Sequence, residues 1–341
     1  MRIGLTFDLQ TDPTDERQAE FDPPSTIHAI CRALESLGHH VVLMGNAADL
    51  LDSPTTSSLS GGGGGDLVFN LAEGAHGRCR EAWVPTLLDL ARIPYAGSDA
   101  LTLSIGLDKV LCKRLARAEG IRTPDWISLE HPDALPATIP LTFPVIVKPR
   151  YEGSGRGIDA GAVVHDRAAL AARAAWLFAR CPQSLLIEEF IAGGELTVCL
   201  IGNVVPSERS ESRDDPPMAY PAIQRPLDPA TGLAYHVVHP APARSVSPLM
   251  LEPALEAEAR RVALRMFTIL GCRDIARVDL RVDDVGRVFF LEINPLPSFD
   301  PEGSLGLLAE YLGITYAQLL GRVLDVTLLR STTHQIPSTT Q

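Results

Sequence analysis

The chain has 341 residues, 45% of them hydrophobic, and a formal net charge of −12 with pI ≈ 5.2. That length allows two or three domains with sizeable cores. The acidic balance argues against a protein dominated by nucleic-acid or anionic-membrane binding, though not against local basic pockets. No apolar run approaches the ~20 residues of a membrane span, and "MRIGLTFDLQ" opens as a strand rather than as the charged start of a signal segment. The six cysteines are scattered with no CxxC pair. In a chain of this size they read as reduced packing residues of a cytoplasmic protein.

The first hundred residues alternate strand and helix. "RIGLTFDL" reads as a buried strand, and residues 25–38 as a helix with Ser25 at its N-cap and Gly38 as its stop. "HVVLMG" is the next strand. Residues 50–65, "LLDSPTTSSLSGGGGG", form a loop by composition, and their glycines lack the Lys-Ser/Thr of a phosphate loop. "DLVFNLAEG" is a strand and "CREAWVPTLLDLAR" a helix. Such alternation predicts an open parallel sheet with ligands at the carboxyl ends of its strands, near Asp8, Asn70 and Glu73.

A second unit begins with a helix over residues 104–120 that carries Lys109. It continues through "FPVIVKPRYEGSGRGIDAGAVV", a helix over 166–181 and the strand "SLLIEEFI". A third unit runs from "GGELTVCLIG" through a long loop, 206–232, a helix near 252–270, a hairpin and two closing helices. The expected division is 1–105, 106–188 and 189–330, with a disordered tail over 331–341.

The hairpin is "IARVDLRVDDVGRVFFLEINPLPSFDPEGS", residues 275–304. Side chains alternate between the faces of a strand. Folding back at Val285 and Gly286 sets Val278 opposite Ile293, Leu280 opposite Leu291 and Val282 opposite Phe289, an apolar floor. The same register sets Asp279 beside Glu292 and Arg277 beside Asn294. Two opposed carboxylates repel. Either Arg277 and Arg281 neutralise them on a solvated face, or Asp279, Glu292 and Asn294 are oxygen ligands for a divalent cation such as Mg²⁺.

In "VIVKPRYEGSGRGI", Lys148 ends a strand and a turn follows with Gly153, Ser154, Gly155 and Gly157. This suits either a plain Gly-rich hairpin or a phosphate cradle, since glycine lets backbone N–H groups approach an anion. "LLIEEFIAGGELTV" puts Glu188, Glu189, Ile191 and Glu195 at a strand end. It reads either as an acidic connector or as a segment that meets an adenine edge and a ribose. Neither Lys109 nor Lys148 reads as a core residue.

Taken in order, "IPYAGSDALTLSIGLDKVLCKRLARAEGIRTP", "FPVIVKPRYEGSGRGI", "LLIEEFIAGGELTV", "ARVDLRV" and "FFLEINPLPSFDPEGS" resemble an ATP-grasp ligase of the D-alanine–D-alanine ligase type over most of residues 93–320. The resemblance implies an α/β ATP-grasp fold: an N-terminal open α/β domain and two α+β subdomains that clasp ATP. It implies ATP and Mg²⁺ (or Mn²⁺) as cofactors, amino-acid-like small-molecule substrates, no nucleic-acid or membrane partner, and a homodimer as in relatives. Lys109, Lys148 and the turn Gly153-Ser154-Gly155 would meet phosphates, and Glu188, Glu189, Ile191 and Glu195 would meet adenine and ribose. Asp279, Glu292 and Asn294 would be metal ligands, with Arg277 and Ser154 catalytic. Ser304 and Leu305 would lie near the acceptor carboxylate.

The chain departs from that family at its amino-acid sites. The loop after the first strand, "DLQTDPTDERQAEFDPP", is longer and acidic, and Glu16 is the nearest match to the glutamate that holds the donor ammonium. "NLAEGAHGR" replaces the family's "HG" segment and brings Glu73 to the strand end. Pro295 and Ser298 stand where the family has smaller residues, and "MAYPAIQRPL" has no lysine. The reading is an ATP-dependent carboxylate–amine ligase with a different substrate pair, with Glu16, Glu20, Glu73 and Ser298 among the substrate candidates. An authentic D-alanine–D-alanine ligase and a non-catalytic ATP-binding regulator are the alternatives.

Overall fold

The computed structural model describes residues 1–52, 67–204, 217–238 and 251–333. Among these, a parallel sheet forms from β1 (Arg2–Thr6), β2 (His40–Gly45), β3 (Leu67–Asn70) and β4 (Tyr95–Ala96) in the order β2-β1-β3-β4. Helix α1 (Pro24–Ser36) packs on one face, where Ile27, Ile30 and Leu34 meet Ile3, Leu5 and Phe69. Helices α2 (Ala47–Asp52) and α3 (Trp83–Ala91) cover the other face. The N-cap of α1 is Pro23, not Ser25, because Pro24 at the first helical position is already set at helical φ. Gly38 does end the helix, at φ +85. Residues 50–52 of the expected loop close α2, and 53–66 lie outside the described residues.

The single helix expected over 104–120 is two: α4 (Ala100–Leu107) and α5 (Lys109–Ala118). Asp108 breaks them. Its backbone is extended, its side chain accepts the Leu111 N–H, and Arg150 clamps it with two hydrogen bonds of 2.6 and 2.7 Å. The break places Lys109 at the start of a helix instead of its middle. Gly106 lets α4 approach the hairpin, since a Cβ there would lie 2.6 Å from Cδ of Pro295.

The central sheet takes the order β5-β8-β6-β7 from β5 (Trp126–Leu129), β6 (Val145–Pro149), β7 (Val163–Val164) and β8 (Leu185–Glu189), backed by α6 (Arg167–Arg180). The third sheet holds β9 (Gly194–Asn203), β12 (Arg273–Val282) and β13 (Val288–Asn294), with the short strands β10 (Met218–Ala219) and β11 (Ile223–Arg225) on β9. Both short strands fall in the expected long loop 206–232, of which 206–216 lies outside the described residues. Helix α7 (Tyr235–Val238) follows, and α8 (Pro253–Leu270) packs beneath this sheet together with Cys112 and Ala116 of α5. The chain closes with α9 (Ser304–Tyr311) and α10 (Tyr316–Thr333), whose apolar faces join the N-terminal sheet's core. Residues 331–333 of the expected tail are thus helical, and 334–341 lie outside the described residues. No single described helix is long and apolar enough to cross a membrane.

The hairpin pairs Arg277 with Asn294, Val278 with Ile293 and Asp279 with Glu292, as expected. The register then slips by one, pairing Leu280 with Phe290 and Val282 with Val288. This bulge turns Leu291 to the polar face, where it lines a cavity, and puts Phe290 and Val288 on the floor.

Asp274 ties the units together. Fully buried at φ +62, it accepts hydrogen bonds from the Gly97 N–H (2.9 Å), Asn203 Nδ2 (2.9 Å), and Arg330 Nε (3.0 Å) and Nη2 (2.7 Å). Arg330 also donates to the Tyr95 carbonyl. Asp274→Ala removes a buried carboxylate that accepts four hydrogen bonds and should lower stability by about 1–3 kcal/mol, read as a fall in the denaturant midpoint. A midpoint within ~0.5 kcal/mol of wild type would show the cluster to be incidental.

Candidate active site

Two cavities meet on the polar face of the hairpin. One, of about 400 Å³, is lined by Lys148, Glu188, Glu189, Ile191, Glu195 and Asp279, among others. The other, of about 310 Å³, is lined by Glu20, Asp22, Glu73, Glu81, Lys109 and Asp300, among others. Ser154, Arg277, Glu292 and Ser298 line both, so these residues form the junction.

At the junction every charge is opposed. Asp279 accepts from Arg277 Nε (3.1 Å) and Nη2 (2.9 Å), Asn294 Nδ2 (3.2 Å) and Thr197 Oγ1 (2.8 Å). Glu292 Oε2 lies 3.2 Å from Lys109 Nζ. Burial would raise the Glu292 carboxyl, but Lys109, Lys148 and Arg277 outweigh it and hold the group at about 2. The Arg277 guanidinium is buried too, yet Asp279 and Glu292 hold it firmly charged. Two carboxylates and an amide on one face are hard oxygen donors of the kind Mg²⁺ accepts. Among the described residues no group of three or more His, Cys, Asp or Glu side chains is arranged to hold a metal ion by itself. A cation here would therefore take its remaining oxygens from phosphate and water.

Both expected lysines prove to be buried. Lys148 is 5% exposed and Lys109 6%. Lys148 Nζ sits 2.5 Å from Glu188 Oε1, while Lys113 Nζ, fully buried, sits 2.6 Å from Glu188 Oε2. Glu188 therefore spans two lysines instead of standing free for an adenine or ribose. Burial lowers the Lys148 ammonium, but Glu188 and Glu292 more than reverse this. Burial brings Lys113 down to about 8 in spite of Glu188. Lys113 lies one turn beyond Lys109 on the same face of α5, a spacing readable in the sequence.

The other expected residues divide. Ser154, at φ +48, and the positive-φ glycines Gly155 and Gly157 form the tight turn after Lys148. Gly153 lies against Glu20, which accepts its N–H. Glu195 faces Arg281 at 3.3 Å, and Glu189 accepts the Thr142 N–H. Ser304 begins α9 and accepts a hydrogen bond from Arg225, a half-buried residue of β11 that no motif singles out. Leu305 points into the core, 1% exposed, and lines neither cavity. Glu16 is an exposed surface partner of Arg180 at 2.7 Å and stands outside the cavity; Glu20, one turn on, reaches it. Asp8 and Asn70 shape the strand ends instead of meeting a ligand: Asp8 accepts the Gly74 N–H, and Asn70 accepts from Thr6 Oγ1 and the Ala72 N–H.

Arg80 links the cavity to the glycine turn. It donates to Glu20 (2.6 Å) and to the Tyr151 carbonyl (2.9 Å), 4% exposed. Beside it, burial pushes the Glu81 carboxyl up to about 8 against the pull of Arg80. Burial, with Glu81 and Glu20 alongside, raises Glu73 well above the usual range. Burial, Asp300 and Asp8 push Asp22 up to about 7.

Residues 115–325 match the family model of the D-ala D-ala ligase C-terminus. A D-alanine–D-alanine ligase of Synechococcus sp. strain JA-3-3Ab is 32% identical over 314 residues, 90% of each chain. An uncharacterized protein of Sinorhizobium fredii is 32% identical over 304 residues, 87% of this chain and 86% of its own. The crystal structure of D-alanine–D-alanine ligase from Bacillus anthracis complexed with ATP has the same fold. Its TM-score is 0.73 at 24% identity, over 98% of this chain and 99% of that one.

The raised Glu81 carboxyl has a consequence for stability. Between the ordinary carboxylate value and about 8, the folded protein holds a proton that the unfolded chain has released. Glu81's contribution therefore falls as pH rises through that window. Glu81→Gln removes the contribution, so its melting temperature relative to wild type should rise between pH 5 and pH 8. A difference that stays flat across that range would mean that Glu81 is ionised in the folded state.

Proposed function

Because the chain belongs to the D-alanine–D-alanine ligase family and has the ATP-grasp fold, we propose that it is an ATP-dependent, ADP-forming carboxylate–amine ligase. The observation that carries this is the shared wall of the two cavities. A nucleotide in the larger cavity would end, and an amino acid in the smaller one would begin, at Arg277, Glu292 and Ser154. We retain the division into an N-terminal unit and two subdomains, and read the six free cysteines as those of a cytoplasmic protein.

Adenine would lie along the Glu189–Phe190–Ile191 connection and the phosphates over Lys148 and the Ser154 turn. Asp279, Glu292 and Asn294 would hold Mg²⁺, which when bound neutralises phosphate charge during phosphoryl transfer. The donor carboxylate attacks the γ-phosphorus of ATP, giving an acyl phosphate and ADP. The acceptor amine then attacks the acyl carbon, and phosphate leaves as the amide forms. Arg277, at the junction, faces the oxyanion of that second step. Arg225 and Ser304, at the start of α9, would receive the acceptor's carboxylate, where the helix dipole favours an anion.

In this reading the substrate pair differs from two D-alanines, because the smaller cavity carries many more carboxylates than one ammonium requires. ADP formation measured across a panel of amino acids tests it. Rapid turnover with D-alanine alone would replace it with the housekeeping ligase.

Glu292→Gln removes a charge and little volume. It should lower kcat by at least about 10²-fold, the scale of losing one transition-state contact, with a near-normal melting temperature. Turnover at the wild-type rate would remove Glu292 from the metal site. Lys148→Met leaves Glu188 its partner Lys113, so the fold should persist. The KM for ATP should rise about tenfold or more, as expected for a lost charged hydrogen bond. An unchanged KM for ATP would place the phosphates elsewhere.

A further inference from the structure

The smaller cavity gathers more carboxyl groups than the protein answers with cations. Six carboxylates line it (Glu20, Asp22, Glu73, Glu81, Glu292 and Asp300) against two cations, Lys109 and Arg277. Lys109 answers Glu292, Arg277 is taken by Asp279, and Arg80 reaches Glu20 from behind. Asp22, Glu73, Glu81 and Asp300 have no ion-pair partner among the described residues. Glu81 faces the cavity at 7% exposure, and among the described residues no donor hydrogen-bonds its carboxylate. A buried carboxylate left in this state must either keep a proton or take a cation. Burial pushes Glu81 up to about 8, and burial with the repulsion of Asp300 and Asp8 pushes Asp22 up to about 7, in the direction of the first alternative.

An α-amino acid brings one ammonium and would leave most of this cluster unanswered. The space is also larger than alanine needs. At about 30 Å³ per water, 310 Å³ is room for roughly ten waters, which leaves space beyond an alanine side chain. Glu73 and Glu81, neither of which has an ion-pair partner among the described residues, come from the N-terminal unit, whereas the junction end of the cavity belongs to Arg277 and Glu292 of the hairpin.

We propose that the donor is a diamino carboxylic acid of the lysine or ornithine class. Its carboxylate lies at the junction with Arg277 and Ser154, its α-ammonium near Asp22 and Asp300, and its second ammonium between Glu73 and Glu81. This rests on the ligase reading above and names the substrate class of its donor site.

The test compares donors that differ only in the terminal amine: lysine against norleucine and ornithine against norvaline, each as both enantiomers. Two readouts are taken on the full chain. One is ADP formation with Mg²⁺, ATP and an excess of a second amino acid. The other is binding by calorimetry with Mg²⁺ and a non-hydrolysable ATP analogue. The diamino member of each pair should bind at least tenfold more tightly and, where turnover occurs, show at least tenfold higher kcat/KM. Glu81→Gln should reduce that ratio to within threefold. Because the ratio is taken within one variant, a general loss of folded protein cancels. Equal binding within each pair, or a ratio unmoved by Glu81→Gln, overturns the diamino assignment whatever the turnover. Tight, Glu81-dependent lysine binding without ADP formation with any acceptor upholds the site and overturns the ligase reading instead.

Discussion

Asp279 and Glu292 stand side by side across β12 and β13, and like charges in that position destabilise a sheet. The surrounding structure is arranged to oppose that repulsion. Arg277 comes from the same strand as Asp279, Lys109 from the start of α5, and Lys148 from the end of β6. Each cation comes from a separate element, so the polar face of the hairpin is complete only when helix, central sheet and third sheet are packed together. Details elsewhere in the chain serve that placement. The break at Asp108 brings Lys109 to a helix start, the missing side chain at Gly106 lets α4 reach Pro295, and Glu188 steadies Lys148 from below with help from Lys113.

The hairpin was legible because its physics is local. Alternation fixes faces, and a tight turn fixes register until something shifts it. The shift came at a bulge, which a single sequence does not announce, and it moved Leu291 from the floor to the cavity wall. The parallel sheet was legible from its alternating pattern, and the order of motifs carried the family. Residues whose roles depend on distant partners were not legible. Glu16 and Glu20 sit one turn apart in the same acidic loop, and only the fold shows that Glu16 faces Arg180 while Glu20 faces the cavity. Arg225 and Glu81 carry no motif of their own. Arg225 gains its significance from Ser304, and Glu81 from Glu20 and Lys109, all brought up by segments far away in sequence. The lysines read as surface groups because charged side chains usually are; here each is buried with a carboxylate partner.

The two cavities divide the charge unequally, and that asymmetry suits a two-stage reaction. In the larger cavity, proposed for the nucleotide, Glu188 is answered by Lys113 and Lys148 and Glu195 by Arg281, so these carboxylates are paired. In the smaller cavity, proposed for the amino acid, Glu292 pairs with Lys109 and Glu20 with Arg80, while Asp22, Glu73, Glu81 and Asp300 have no ion-pair partner among the described residues. A balanced wall admits an anion that arrives with its own metal ion. An unbalanced acidic wall rejects a bare anion and admits one only if it carries compensating ammonium groups.

The link between the two sides is mechanical as well as electrostatic. Glu20 accepts the Gly153 N–H while its other oxygen takes Arg80, and Arg80 also holds the Tyr151 carbonyl at the root of the same turn. The turn proposed to meet phosphates is therefore held in place by a residue of the smaller cavity. Charge brought in beside Glu20 acts on the same ion pair that fixes Gly153 and, next to it, Ser154. The two cavities therefore share a wall and also the hydrogen bonds that set its position.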